Sequence, residues 1–570
     1  MTARRIIKPV VGIAAAMIAI WPGSLAGSAA PSLWSSPVTA VNTVVSTPTS
    51  GGGYAELPPV AGGCVAPTPN NFNANHSESE LAVEPGTEQI VGSSKFFFDK
   101  FSTNYNFYLG SYNVRGSSHS DNIVQGYDCS TATPGQLNEN MPPSWTNTTD
   151  PNVGFDTKGR VYQTVLPFNA FWTKLHPDGE ITLSYSDDLG AHWVTGNGGQ
   201  ALEQVPNSST TQLGHVEDKQ WVAVNHYPGS RFQDHVYSTW DIIDGNIGST
   251  VKLRLAVSRD RGLTFGPAST VVSASVNQQR NQYSQPAVDP SGDLYIAYAN
   301  IGVKTNAFDL FVTKSSDDGN TFTTPVLAGS GHSIPSTRVT NTTFRDGIPF
   351  AFAVSQDFPG HLYAAYNDWN GSQYNVFLVQ STNGGQTWSA PVAVNDDINS
   401  GRVADHFQPA VAAGPGGAVA VAFYDRRAAC PTDASIIPQD QGRSNFCIDV
   451  SVQPFRDSGT AASAVPVGPN VRGSSFTWDP QQPGLLVNAD GTTRDLQTLG
   501  GLGQMACASH NDPCRNSFIG DYFGLAISGG NIYTLSVSTH YPSSVAADDG
   551  STLYYQQQVL GTISRASVGI

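Results

Sequence analysis

The chain has 570 residues, of which only 13% are charged, and a formal net charge of −16. Turns are dense, with 57 Gly and 37 Pro, while 39% apolar residues are enough for a core, which excludes global disorder. The acidic balance, without any long basic run, excludes a nucleic-acid partner, because phosphate binding needs clustered Lys and Arg.

At the N-terminus Arg4, Arg5 and Lys8 precede an apolar stretch over 9–21, and a small-residue segment over 26–30 follows. This three-part pattern predicts a secretory signal peptide over 1–30. The stretch is short for a bilayer span. A membrane anchor is the alternative reading; otherwise no integral membrane segment remains once the signal is removed. Residues 31–65 are rich in Ser, Thr, Pro and Gly and predict a flexible linker. The chain has six cysteines, an even count that predicts disulfides in an exported chain. Sequence neighbours give the pairing Cys64–Cys129, Cys430–Cys447 and Cys507–Cys514. No CxxC, HExxH, GxSxG or Walker-type loop occurs.

From about residue 66 to 570 one unit recurs: a short apolar strand, a Gly turn, then a strand ending in aromatics. Clear copies begin at Asp150, Gln285 and Gln408, and weaker ones at Glu80, Lys219, Phe352 and Asp521. Until the last interval the copies start roughly 55–70 residues apart, the sign of a repeat architecture. The longer last interval predicts an insertion over about 455–517.

A second element follows four of the copies: an alternating strand, then Ser-x-Asp-x-Gly-x-x-aromatic. Its members are Ser186/Asp188/Gly190/Trp193, Ser258/Asp260/Gly262/Phe265, Ser315/Asp317/Gly319/Phe322 and Ser381/Asn383/Gly385/Trp388, the last with Asn for Asp. The Asp or Asn side chain caps the N–H groups of a tight turn, and Gly supplies a backbone shape other residues resist. The aromatic packs back between strands. These acids are therefore structural. Four short antiparallel strands per unit, repeated radially without helical periodicity, predict an all-β propeller of seven blades, with six as the alternative.

The Ser-x-Asp-x-Gly-x-x-Trp element resembles the Asp box of the sialidase-like propeller superfamily, and the resemblance covers about residues 70–560. That superfamily's architecture carries hydrolases, lyases and pure binders, so function has to come from the site.

In a four-stranded blade, the start of the inner strand and the second-to-third connection share one face. The boxed turns lie on the other. At inner-strand starts stand Glu78, Glu80, Asp150, Asp218, Lys219, Asp405, His406, Asp521 and Tyr522. Arg280, Arg345, Arg402 and Arg515 precede four inner strands, and Trp369, Asp425 and Trp172 lie at second-strand ends or in the 167–180 loop. Aromatic faces stack on pyranose rings, carboxylates bond hydroxyls, and guanidinium groups clamp carboxylates. The resemblance implies, for a sialidase, three arginines on the sugar carboxylate, an Asp acid/base and a Tyr nucleophile polarised by Glu. By position Tyr522 beside Asp521 is the nucleophile candidate, with Tyr283 second, and Asp150 and Asp218 are acid/base candidates. The Arg-Ile-Pro string of true sialidases is absent; Arg345-Asp346-Gly347-Ile348-Pro349 is the nearest sequence.

Structural roles are the alternative for these residues. Acids at inner-strand starts bond backbone around the channel, and Tyr-x-Asp-x-Arg strand ends make blade-to-blade salt bridges. No cofactor is required. The acidic loops have oxygen ligands enough for a structural Ca²⁺, without EF-hand spacing, and scattered histidines give no metal site. Two functions stay open: a secreted, monomeric glycoside hydrolase of sialidase type acting on a glycan or glycoconjugate, and a non-catalytic propeller binding glycans or proteins at the cell surface.

Overall fold

The computed structural model describes residues 33–46, 76–97, 107–115, 118–123, 147–168, 180–204, 215–244, 250–272, 279–302, 305–335, 339–342, 344, 347–482, 485–487, 493–495, 519–546, 552–554 and 556–570. The predicted signal peptide, Cys64, Cys129, Cys507, Cys514, Trp172, Arg345 and Arg515 lie outside them.

Among the described residues seven antiparallel sheets form the blades. The first comprises His76–Val83, Ile90–Phe97, Phe107–Arg115 and Ser118–Ile123. The second is built on Val161–Phe168 and Glu180–Ser186, with Asn147–Thr149 and Gly154–Phe155 on its inner side. The inner strands of blades three to seven are His215–Val224, Gln279–Val288, Phe350–Val354, His406–Gly414 and Gly524–Ile527. Each inner strand lies beside the next, and the seventh beside the first, so the ring closes. These strands coincide with the seven sequence copies.

Blades stack face to face, so their middle strands are covered on both sides. Ala418–Asp425 (AVAVAFYD) is buried at every position, and its small residues let neighbouring sheets approach. Such a strand reads as a continuous apolar run rather than an alternation.

All four Ser-x-Asp/Asn-x-Gly turns adopt one geometry. Ser315 Oγ donates to Asp317 Oδ1 (2.8 Å) and accepts from Gly319 N (2.9 Å), while Thr321 N donates to Asp317 Oδ1 (2.8 Å). The same three bonds join Ser186, Asp188, Gly190 and His192 in blade two. They join Ser258, Asp260, Gly262 and Thr264 in blade three, and Ser381, Asn383, Gly385 and Thr387 in blade five. Asn383 serves as well as Asp because its Oδ1 accepts both bonds, at 3.0 Å each. The amide reverses only the outer bond: Asn383 Nδ2 donates to Thr387 Oγ1 (2.8 Å), where Asp317 Oδ2 accepts from Thr321 Oγ1 (2.6 Å). The left-handed backbone expected of the glycines is present, with φ between 79° and 83° at Gly190, Gly262, Gly319 and Gly385. At Gly319 a Cβ would also sit 2.8 Å from Leu255 Cδ2 of the preceding blade.

The aromatic that closes each turn departs in degree from the expectation. Trp193 is fully buried, packed with Val91, Val161 and Val165. Phe265, Phe322 and Trp388 are only half-buried and lie against the margins of their clusters. The turns stand at the outer rim of the blade stack, so three of the four rings cover a core edge instead of entering it.

Two boundaries differ from expectation. Within the predicted linker, Val41–Val44 forms the outer strand of blade seven, paired with Gln557–Ser564. An outermost strand has one neighbour and is largely solvated, so its composition looks like that of a linker. Within the predicted insertion, Val465–Pro466 and Val471–Arg472 pair with Asp449–Arg456 of blade six. Cys430 and Cys447 form a disulfide in that blade's second-to-third connection.

Candidate active site at the ring centre

The inner strands share a backbone irregularity. In blades one, three, four and six a β-bulge interrupts the pairing of inner and second strand. The bulge begins with a left-handed residue: Glu78 (φ 44°), Lys219 (φ 53°), Tyr283 (φ 66°) and Gln408 (φ 48°). Asp150 (φ 57°) and Gly520 (φ 114°) occupy the same place ahead of the inner strands of blades two and seven. Left-handed backbone costs a non-glycine residue roughly 1–2 kcal/mol. Non-glycine residues held this way mark sites where the surroundings over-determine the geometry.

Four blades send charged groups from these positions into one buried cluster. Glu78 is fully buried, with Oε2 2.6 Å from Lys95 Nζ. Lys95 Nζ donates to Thr149 Oγ1 (3.0 Å), which in turn donates to Asp150 Oδ1 (3.0 Å). Lys219 Nζ lies 3.6 Å from Asp150 Oδ2 and 2.8 Å from Asp521 Oδ2. Lys219 N also donates to Asp150 Oδ2 (3.2 Å) and to Asp218 Oδ1 (3.0 Å). Gly347 makes room for Asp521, since a Cβ there would collide with Asp521 Oδ1 and Cβ.

Burial and charge divide these groups. Burial pushes the Glu78 carboxyl up to about 7, against the pull of Lys95. Burial also raises Glu80, to about 8. At Asp150 the cost of burial is outweighed by Lys219 and then Lys95, so its carboxyl sits below the usual range. At Lys219 burial is likewise outweighed, by Asp150 and Asp521, and the ammonium is held well above its ordinary value. Burial, reinforced by Glu78 and Asp150, raises the Tyr522 phenol strongly. Beside the cluster, buried Asp241 accepts from Tyr283 N (2.8 Å) and is raised by burial.

The structure therefore brings together Asp150, Asp218, Asp521 and Tyr522 of the sequence candidates. Tyr522 stacks edge-on against Trp221 (5.0 Å) and donates to the Pro151 carbonyl (2.8 Å). Lys95, on a second strand, was not among the candidates; a lone lysine in the small and apolar run IVGSSKFF was its only signal.

The other candidates stand elsewhere. Asp405 pairs with Arg426 (3.3 Å) and caps Tyr374 N (3.0 Å). Asp425 pairs with Arg427 (2.7 Å), and His406 Nε2 lies 3.2 Å from Asp397 and 3.3 Å from Asp425. Those two acids outweigh burial and raise His406 to about 9. Arg427 reaches on to Asp396 (2.7 Å), so this network ties strands of blade six to the segment that leads into it. Trp369 packs edge-on to Tyr374 (5.4 Å). Arg402 is exposed, and Arg280 sits on the inner strand of blade four. Among the described residues, the cations paired with the central carboxylates are lysines, and no group of three or more His, Cys, Asp or Glu is arranged to hold a metal ion.

No protein-family profile matches the chain, and no curated protein does. Its fold is similar to those of solved propellers at low identity. A Dyadobacter fermentans protein of unknown function matches with TM-score 0.40 and 15% identity over 62% of this chain and 92% of that one. An α-L-arabinofuranosidase of Fusarium graminearum matches with TM-score 0.37 and 12% identity over 76% and 97%. A sialidase of Streptococcus pneumoniae matches with TM-score 0.35 and 10% identity over 88% and 70%. Likeness this distant transfers no residue roles.

Proposed function

We propose that this chain is an exported, carbohydrate-active propeller that hydrolyses glycosidic bonds at the Glu78/Asp150/Asp521 cluster. One observation carries the reading: buried carboxylates from different blades meet on left-handed backbone, with their protonation pushed apart. Glu78, raised to about 7, keeps a proton to give to a leaving oxygen near neutral pH. Asp150, held low, stays ionised to stabilise a developing oxocarbenium charge or to activate water. Lys219 fixes Asp150 and Asp521 in place. Export is supported by the N-terminal pattern and the Cys430–Cys447 disulfide.

The narrower sialidase form would use Tyr522 as nucleophile. Its support is the position of Tyr522 among the cluster acids. Against it stand the bond from its hydroxyl to Pro151 and the raised phenol. Both ammonium groups of the cluster, Lys95 and Lys219, are already bonded to its own carboxyl groups, which suits a neutral sugar better than a carboxylated one.

A second reading, a binding propeller with a structural hub, is favoured by the burial of Glu78 and Asp150 and by the internal ion pairs of this cluster. The two separate on a panel of fluorogenic glycosides, neutral furanosides and pyranosides beside an α-sialoside. The hydrolase reading expects turnover of a neutral glycoside that Glu78→Gln abolishes. A folded chain that turns over none of them leaves the hub reading standing.

A further inference from the structure

Among the described residues, Phe476 is the one exposed large aromatic of the hydrophobic set, at 46%. Its neighbours are all tied down. Ser474 Oγ and Thr477 Oγ1 donate to Asp449 (2.7 and 2.8 Å), Ser475 N donates to Asn42 Oδ1 (2.5 Å), and Trp478 N donates to the Ile448 carbonyl (3.0 Å). The backbone is thus fixed on both sides of a ring that is left facing outward.

Beneath that ring lies His540, parallel to it, with centroids 3.9 Å apart and planes inclined by 10°. Its Nδ1 is 2.9 Å from Ser435 Oγ, on the disulfide-closed connection of blade six, and Ser435 Oγ donates to Asp433 Oδ1 (2.5 Å). Asp479 joins the same parts: its carboxylate accepts from Ile437 N (3.0 Å) and its carbonyl from Thr539 Oγ1 (2.7 Å). Burial lowers the His540 imidazole, so the stack is uncharged at neutral pH. Tyr541 stands across it, at 86° to Phe476 and 87° to His540. Burial keeps its phenol protonated, raised to about 12, so it can donate a hydrogen bond.

A flat apolar floor meeting an upright ring with a hydroxyl complements one sugar: C–H groups over the floor, hydroxyls toward the wall. Both rings are held before any ligand arrives, which lowers the ordering cost of binding. The place is also informative. His540 and Tyr541 follow the second strand of blade seven, Asn531–Ser538, on the face where Asp521 and Tyr522 lead into that blade's inner strand.

We propose that Phe476, His540 and Tyr541 form a non-catalytic subsite for one unit of a neutral polysaccharide, an inference that rests on the carbohydrate-active reading. The test is native affinity electrophoresis of the full chain in gels cast with xylan, dextran, galactomannan or arabinan, beside turnover of a fluorogenic monosaccharide glycoside. At least one polysaccharide should retard the wild type. Phe476→Ala should weaken that retardation about tenfold, as loss of one stacked ring implies. Phe476→Tyr should restore it, and Glu78→Gln should leave it intact. Monosaccharide turnover should be unchanged in Phe476→Ala, because Phe476 makes none of the contacts of the central cluster. Retardation equal in Phe476→Ala and wild type overturns the subsite, and so does its absence in every gel. Retardation without any turnover keeps the subsite and removes the hydrolase reading.

Discussion

Replacing Lys219 with methionine removes the ammonium that bridges Asp150 and Asp521 at 3.6 and 2.8 Å while keeping side-chain length. Both carboxylates are almost fully buried, at 3% and 2% exposure. Breaking a buried pair by deleting one partner costs about 3–5 kcal/mol, because the remaining charge is stranded. Backbone strain at this left-handed position is nearly the same for both residues, so it cancels. At about 2.1 cal/mol/K per residue the unfolding entropy of this ring is on the order of 1 kcal/mol/K, and the loss becomes a fall in Tm of about 3–5 °C. The fall carries a pH signature. Asp150 is depressed in the folded wild type, so its contribution is present above its unfolded value and fades as pH drops through the folded one. In the variant Asp150 loses that support, so the gap between the proteins should narrow as pH falls below about 4. Differential scanning calorimetry from pH 2 to 8 measures both features. A variant within 1 °C of wild type at neutral pH, or a gap independent of pH, would refute the idea that Lys219 holds two buried charges (the 1 °C bound being about 1 kcal/mol here).

Three further outcomes follow from particular contacts. Gly347→Ala places a methyl on Asp521 and should displace its carboxylate, lowering Tm and any turnover together; a variant with both unchanged shows that Asp521 needs no such space. His406, raised to about 9 against an unfolded 6.5, contributes fully below pH 6.5 and loses that contribution as pH rises through 9. The stability gap of His406→Gln should therefore be largest near pH 6, about 3 kcal/mol, and shrink above pH 9 in urea titrations; a flat gap contradicts the pairing with Asp397 and Asp425. Ser315→Ala strips the bonds to Asp317 and Gly319 and should cost about 1–2 kcal/mol by the same titration, whereas a neutral effect would mean the turn is held by packing alone.

Much of the fold was legible because a propeller repeats its local chemistry. Gly turns between apolar strands located all seven inner strands, and the Ser-x-Asp-x-Gly pattern located four tight turns before any contact was known. How deep the closing aromatic sits was not legible: Trp193 and Trp388 are the same residue type at the same place in the pattern, yet only Trp193 is fully buried. The outer strand Val41–Val44 escaped because its partner lies more than five hundred residues away, and an edge strand needs little apolar surface. At the centre, Asp150, Asp521 and Tyr522 were findable from their place before inner strands. Lys95 was not, since it is a second-strand residue whose role depends on Glu78 of its own blade and on Thr149 across a blade boundary. Asp405 looked equivalent to the central acids in sequence, yet it pairs with Arg426 of its own blade, as Asp425 does with Arg427. The left-handed bulges have no residue signature: Glu, Lys, Tyr and Gln all occupy them.

The central claim is that Glu78 supplies a proton at the heart of the ring. The most direct measurement is the pH profile of kcat/KM for the best neutral fluorogenic glycoside, for wild type and Glu78→Gln. Activity should fall as pH rises through about 7, where Glu78 loses its proton. Glu78→Gln should lose about 10²–10⁴-fold. Activity retained by Glu78→Gln, or a profile without a limb near 7, would contradict it.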